Sequence, residues 1–175
     1  MDRKTFLLRS GGAVAGTLIG QTAIAGLSSP AKQRIAMVGT GVRGIGMWGA
    51  PVIREFSDLV EFVGLCDANP GRVETAKKKL GLSCPTFTDF DKMMRETKPD
   101  RLLVMTVDGV HHEFIAKGME YGADIISEKP MTIDEQKCQT IIDAEQKTGK
   151  KLTVTFNYRY SPHRQKLYEL LRNDA

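Results

Sequence analysis

Gly39-Thr40-Gly41-Val42-Arg43-Gly44 has the spacing G-x-G-x-x-G, stands directly after the apolar run Arg34–Val38 and leads into a helical pattern. In that context each glycine has a separate task. The first permits a tight turn, the second lets backbone approach a pyrophosphate, and the third lets helix pack on strand, while the helix N-terminus offers unpaired N–H groups. The loop alone is a weak signal. Its support is Asp67, which ends the second apolar run Val60–Cys66, about 20 residues on, where an acid accepts bonds from ribose hydroxyls. The competing reading is a glycine turn plus an unrelated surface aspartate. Together loop and acid predict a dinucleotide site with Gly39, Gly41, Val42, Arg43, Gly44 and Asp67 binding the cofactor. Asp67 favours NAD, because a 2′-phosphate would meet its charge, whereas an Arg43 guanidinium could bind that phosphate and keeps NADP open.

Outward from the loop, short apolar runs alternate with helical patterns. Strand-like runs are Arg34–Val38, Val60–Cys66, Arg101–Met105, Ala123–Ile126 and Leu152–Phe156, with a weak one near Thr86. Asn69-Pro70 reads as an N-cap with proline at the first helical position, Val73, Ala76 and Leu80 share a face, and Gly81 stops the helix. Thr132-Ile133-Asp134-Glu135 reads as a capping box opening a helix that buries Cys138, Ile141 and Ile142. Pro51 falls inside the first helical pattern, where it would cost a hydrogen bond to Met47, so a kink or late start is expected there. Strands apolar on both faces, each followed by a helix, predict an α/β fold with a Rossmann-type doubly wound parallel sheet.

The chain has 175 residues, 41% hydrophobic and 26% charged, with 17 glycines. That excludes disordered and fibrous classes and leaves room for one full domain. The formal charge is +4, but Arg3, Lys4 and Arg9 lie in an N-terminal leader, and the nearly neutral remainder gives no reason to expect nucleic acid. Cys66, Cys84 and Cys138 match no metal spacing and are an odd number for a disulfide framework. They read as buried or idle thiols, with no metal site. The leader, residues 1–25, joins a basic start to an interrupted apolar stretch and ends in Ala23-Ile24-Ala25, an A-x-A cleavage pattern. Export to the periplasm with cleavage is expected, leaving no membrane span. Arg3-Lys4-Thr5-Phe6-Leu7 resembles a twin-arginine signal with Lys4 in the second arginine's place, so the general secretory route stays open too. Residues 26–33 read as a polar linker.

Ligands of such sheets sit outside the carboxyl ends of the strands. Thr106 and Glu128 follow or nearly follow predicted strand ends, as Asp67 does, so the three should share one crevice. Lys129, next to Glu128, is placed to exchange a proton with a substrate hydroxyl. The alternative is a surface Glu-Lys pair ahead of a helix. His111 shares a helical stripe with Phe114, Ile115 and Gly118, and reads either as an inward histidine bonded to backbone or as a ligand contact at the crevice. His112 falls off the stripe and is expected to face solvent.

Gly39 to Gly44, Asp67, Thr106-Val107-Asp108-Gly109-Val110-His111, Gly122 and Glu128-Lys129-Pro130-Met131 resemble, in order and spacing, the Gfo/Idh/MocA oxidoreductases, named for glucose-fructose oxidoreductase and inositol dehydrogenase. The resemblance runs from residue 34 to about residue 160, and Glu-Lys-Pro is its most specific part. It implies a Rossmann domain over 34–156 joined to a second α/β domain of which 157–175 are the start, so the chain reads as a fragment. It further implies NAD or NADP as cofactor, hydride exchange with a hydroxyl of a sugar, inositol or related polyol, and possession of a homo-oligomer interface in the second domain. For residues, it implies Lys129 as the catalytic group, Thr106 along the cofactor, Glu128 at its nicotinamide half, and His111, Arg159 and Tyr160 as substrate contacts. Two departures stand out. Val107 replaces the proline common after the threonine, and the family's second-domain Asp and His lie beyond Ala175. A hydrolase that retains its NAD, and a non-catalytic nucleotide-binding module, are the competing functions.

Overall fold

The computed structural model describes residues 31–173. The leader, its cleavage pattern and most of the expected linker lie outside the described residues. Six strands, β1 (Gln33–Val38), β2 (Val60–Cys66), β3 (Thr86–Phe87), β4 (Arg101–Val104), β5 (Asp124–Glu128) and β6 (Leu152–Thr155), form one parallel sheet in the order β3-β2-β1-β4-β5-β6. The reversal of strand order between β1 and β4 is the switch point at which such sheets open a crevice. The expected doubly wound architecture is therefore present, including the weak strand at Thr86.

Alternation along the strands divides the core in two. Ala36, Val38, Leu102, Val104 and Ile125 point to one face, where α3 (Phe90–Thr97), α4 (His111–Glu120) and α5 (Glu135–Thr148) bring Met93, Met94, Ile115, Met119, Ile141 and Ala144. Ile35, Met37, Leu65, Leu103 and Met105 point to the other, against Val73 and Ala76 of α2 (Pro70–Leu80) and Val52 and Ile53 of α1 (Ala50–Phe56). Burying an aliphatic side chain contributes about 1.5–3 kcal/mol, so strands apolar on both sides are what this two-layered cover requires. Helix α2 begins as expected. The Asn69 side chain accepts from the Arg72 N–H, Pro70 follows, and Gly81 ends it at φ +64°.

Two local expectations are corrected. The segment at Pro51 does not start late: the chain is helical from residue 42, widens into a π-helix over Gly44–Gly49, and returns to α geometry at Ala50. Ala50 N–H donates to the Ile45 carbonyl five residues back, and Pro51 follows as the second residue of α1 with no N–H of its own to donate. Helix α5 is capped by Asp134, whose side chain accepts from the Lys137 N–H. Thr132 stands two residues too early in the chain to do so. With that start, Ile141 and Ala144 face the core, Cys138 is half-buried and Ile142 is 41% exposed. Beyond β6, a short 3-10 turn (Asn157–Tyr160) leads into α6 (Pro162–Asn173), on which no residue is buried.

Candidate active site at the carboxyl edge of the sheet

Val38 pairs with Cys66 on one side and Val104 on the other, and Val104 pairs with Ser127. Four strands thus end level, and Gly39, Asp67, Thr106 and Glu128 emerge side by side as the sequence implied.

The glycines of the loop answer to different neighbours. Gly39 has φ +88°, and a Cβ there would stand 2.5 Å from the Met105 carbonyl group. Gly44 lies under the Gly39 carbonyl, with Met37 Sδ 3.0 Å from where its Cβ would be. Protein packing alone requires those two. Gly41 is different, because a Cβ on it would meet nothing within 4 Å. The open space over Gly41, beside the start of the helix, leaves room for an anionic group such as a pyrophosphate. Val42 projects next to it, 89% exposed.

Thr40, fully buried, anchors the loop. Its N–H and its hydroxyl both donate to Asp67 Oδ2, at 2.9 and 3.1 Å, and the Asn69 N–H donates to Oδ1 at 3.0 Å. Arg72 Nη1 lies 3.7 Å from Oδ1. A carboxylate offers about four acceptor positions. Asp67 therefore spends most of its capacity on the loop and retains room for about one further donor. Sequence reasoning missed Thr40, although its place between two glycines beside a buried acid is the available clue.

At the other side of the crevice, Arg43 Nη2 donates to both carboxylate oxygens of Glu128 at 2.7 Å, and Trp48 Nε1 donates to Oε1 at 3.0 Å. The Lys129 N–H adds a contact to Oε2 at 3.2 Å. Burial pushes the Glu128 carboxyl up, but the Trp48 and Arg43 donors, the Arg43 charge and the Lys129 N–H together outweigh it and hold the carboxyl below its ordinary range. The Arg43 guanidinium is thus turned toward the end of β5. Trp48 was not foreseen, since its place depends on the π-helix.

His111 is completely buried, with Nδ1 2.9 Å from the Pro130 carbonyl and Nε2 3.1 Å from the Thr106 carbonyl. It ties the loop after β4 to the loop after β5, which matches the inward reading of this residue. Lys129 is exposed at the end of β5, and its peptide bond to Pro130 is cis. His112, expected in solvent, is half-buried, and its Nδ1 is buried without a partner. Arg159 and Tyr160 leave the sheet at the same edge, because Thr155 pairs with Glu128, but Arg159 stacks 5.4 Å over the Phe156 ring and Tyr160 is 72% exposed. They stand apart from the cluster. A concavity of about 910 Å³ is lined by Arg159 together with Tyr158, Arg164 and Tyr168, and the glycine loop's residues are not among its lining.

Whether a dinucleotide fits is tested by polar atoms lacking partners. Among the described residues four are buried without one: His112 Nδ1, Thr132 Oγ1, Arg43 Nε and Thr106 Oγ1. Such a group costs about 1–3 kcal/mol. Two of them border the crevice, Arg43 at the start of the helix after the glycine loop and Thr106 in the loop after β4, and with the open space over Gly41 they suit a ligand rich in acceptors.

Residues 33–156 match the Gfo/Idh/MocA oxidoreductase family, NAD-binding Rossmann fold. The protein YteT of Bacillus subtilis is 38% identical over 143 residues, covering 79% of this chain and 33% of its own length. Inositol 2-dehydrogenase/D-chiro-inositol 3-dehydrogenase of Lactiplantibacillus plantarum is 27% identical, covering 70% of this chain and 36% of its own. The crystal structure of the WlbA dehydrogenase of Bordetella pertussis, in complex with NADH and UDP-GlcNAcA, shares the fold with a TM-score of 0.73 at 24% identity, covering 82% of this chain and 42% of that one. The chain spans about a third of the length of the curated relatives it matches.

Proposed function

As the chain belongs to the Gfo/Idh/MocA oxidoreductase family, we propose that it is the cofactor-binding part of an enzyme exchanging hydride between a nicotinamide dinucleotide and a hydroxyl-bearing carbon of a sugar, inositol or related polyol. The observation that carries this reading is the placement of Lys129, exposed at the end of β5, on the same edge as the open space over Gly41. The inositol dehydrogenase among its relatives supports the substrate class.

NAD, when bound, supplies the hydride acceptor. The backbone around Gly41 and the helix start hold its phosphates, Asp67 meets the adenosine ribose with its remaining acceptor, and the Thr106 hydroxyl donates toward the cofactor. Lys129 exchanges a proton between its Nζ and the reacting hydroxyl. His111 acts by fixing the Thr106 and Pro130 backbones that flank the site. Arg159 and Tyr160 reach substrate only where further chain closes over the crevice. Calorimetry with NADH and this chain tests the cofactor site. Net NADH formation by the intact protein on inositols and glycosides tests the reaction, and hydrolysis without net NADH would favour the hydrolase weighed from the sequence.

The domain limits, 34–156 for the cofactor domain with 157–175 opening the next, belong to the same proposal, as does a homo-oligomer built through that next domain. Export is proposed from residues 1–25 alone. Among the described residues no helix is long and apolar enough to cross a membrane. N-terminal sequencing of protein from the periplasmic fraction should begin near Gly26, and an intact Met1 in the cytoplasm would overturn export.

A further inference from the structure

Arg43, Trp48 and Glu128 come from the glycine loop, the π-helix and the end of β5, and they meet only because β5 lies two strands from β1. The Glu128 side chain is 6% exposed, so a single positive charge, Arg43, balances it there. The two halves of a dinucleotide bind on opposite sides of the switch point. With Asp67 marking the adenosine side at β2, Glu128 at β5 marks the nicotinamide side. The nicotinamide ring is cationic in NAD and neutral in NADH, so a charge fixed near it discriminates between the two forms.

We propose that Arg43 and Glu128 form a charge-balanced pair, oriented by Trp48, that sets the relative affinity of the site for oxidised and reduced cofactor; this rests on the cofactor-binding reading above. Arg43 would then act as the countercharge of Glu128, and the phosphates would be held by backbone. Removing Arg43 leaves an anion that favours the cationic ring. Removing the Glu128 charge leaves a cation that disfavours it. The two lesions should move the NAD-to-NADH ratio in opposite directions.

The test measures dissociation constants of NAD and NADH on the 175-residue chain at pH 8 by calorimetry and NADH fluorescence, with circular dichroism to confirm folding. In Arg43→Met the ratio Kd(NAD)/Kd(NADH) should fall about tenfold, and in Glu128→Gln it should rise by about as much, the scale of one unit charge within several ångströms in a partly buried site. Arg43→Lys, which keeps the charge, and the charge-neutral double variant should both return the ratio to within about threefold of the parent. If Arg43→Met does not fold, Glu128→Gln and the double variant carry the comparison. Equal weakening of both forms in the single variants would overturn the proposal and make Arg43 a phosphate contact, while leaving the cofactor reading in place. A parent chain that binds neither form would overturn both.

Discussion

Thr40 and Asp67, joined by a 2.9 Å bond from the Thr40 N–H and a 3.1 Å bond from its hydroxyl to the same oxygen, Oδ2, lock the turn of the glycine loop to the end of β2. Asp67 is 6% exposed, so loss of a donor there is not made good by water. Thr40→Val removes the hydroxyl while keeping the volume and the N–H bond. A buried acceptor deprived of one bond costs about 1–3 kcal/mol, and in a domain of this size each kcal/mol moves Tm by about 2–4 °C. A thermal melt followed by circular dichroism should therefore show a fall of several degrees. An unchanged Tm would mean that the N–H bond alone holds the loop.

Gly39 and Gly41 should fail in different ways. A methyl at Gly39 would meet the Met105 carbonyl group at 2.5 Å, at φ +88°, whereas one at Gly41 meets no protein atom within 4 Å. Gly39→Ala should unfold or strongly destabilise the chain. Gly41→Val should fold with a near-parental melting curve and lose NADH binding, since its side chain takes the space of the pyrophosphate. Circular dichroism and calorimetry on the two variants separate these outcomes. Parental NADH affinity in Gly41→Val would move the cofactor site elsewhere.

Glu128 should make stability depend on pH in one direction. Its carboxyl is held below the ordinary value of 4.5 in the folded chain, so it contributes stability that is present above the unfolded-state value and lost as pH falls through the folded one. Asp134 is also held low, chiefly by the Lys137 N–H, and adds to the background in the same sense. The comparison must therefore be with Glu128→Gln. Urea midpoints of parent and variant should begin to converge as pH drops below about 4.5, where the unfolded parent takes up a proton, and should meet once pH has fallen through the lower folded-state value. A gap that stays constant from pH 7 to pH 3.5 would show that Glu128 keeps no low value.

The parts of the site visible in the sequence are those whose requirement is local. Glycine spacing records where backbone must turn or make room, and Asp67 follows from the end of an apolar run, so loop, acid and sheet class could be read along the chain. The Arg43–Glu128 contact joins residues 85 apart and Trp48–Glu128 residues 80 apart, and both depend on strand order and on a π-helix. Nothing periodic announces either. At α5 the obstacle was ambiguity: Thr132 and Asp134 both carry cap chemistry, and only backbone geometry selects Asp134. His111 could be placed on the buried stripe but not assigned its two carbonyl partners, which lie 5 and 19 residues away on separate loops.

Lys129 carries the catalytic part of the proposal, and its test uses the intact protein on which net NADH formation would be measured. The side chain is exposed at the end of β5 while its N–H is held by Glu128 Oε2 at 3.2 Å, so a change beyond Cβ leaves the backbone bond and the buried pair untouched. Lys129→Met keeps the length and removes the exchangeable proton. Affinity for NADH should stay within about threefold of the parent. Turnover on a confirmed sugar or polyol should fall by about 10² or more, the usual scale of general acid-base catalysis, with kcat and kcat/KM falling together. Lys129→Arg should not restore the rate, because a guanidinium does not give up its proton near neutral pH. Undiminished turnover in Lys129→Met would return this residue to an ordinary surface pair with Glu128, whereas a parallel loss of NADH binding would make it a cofactor contact instead.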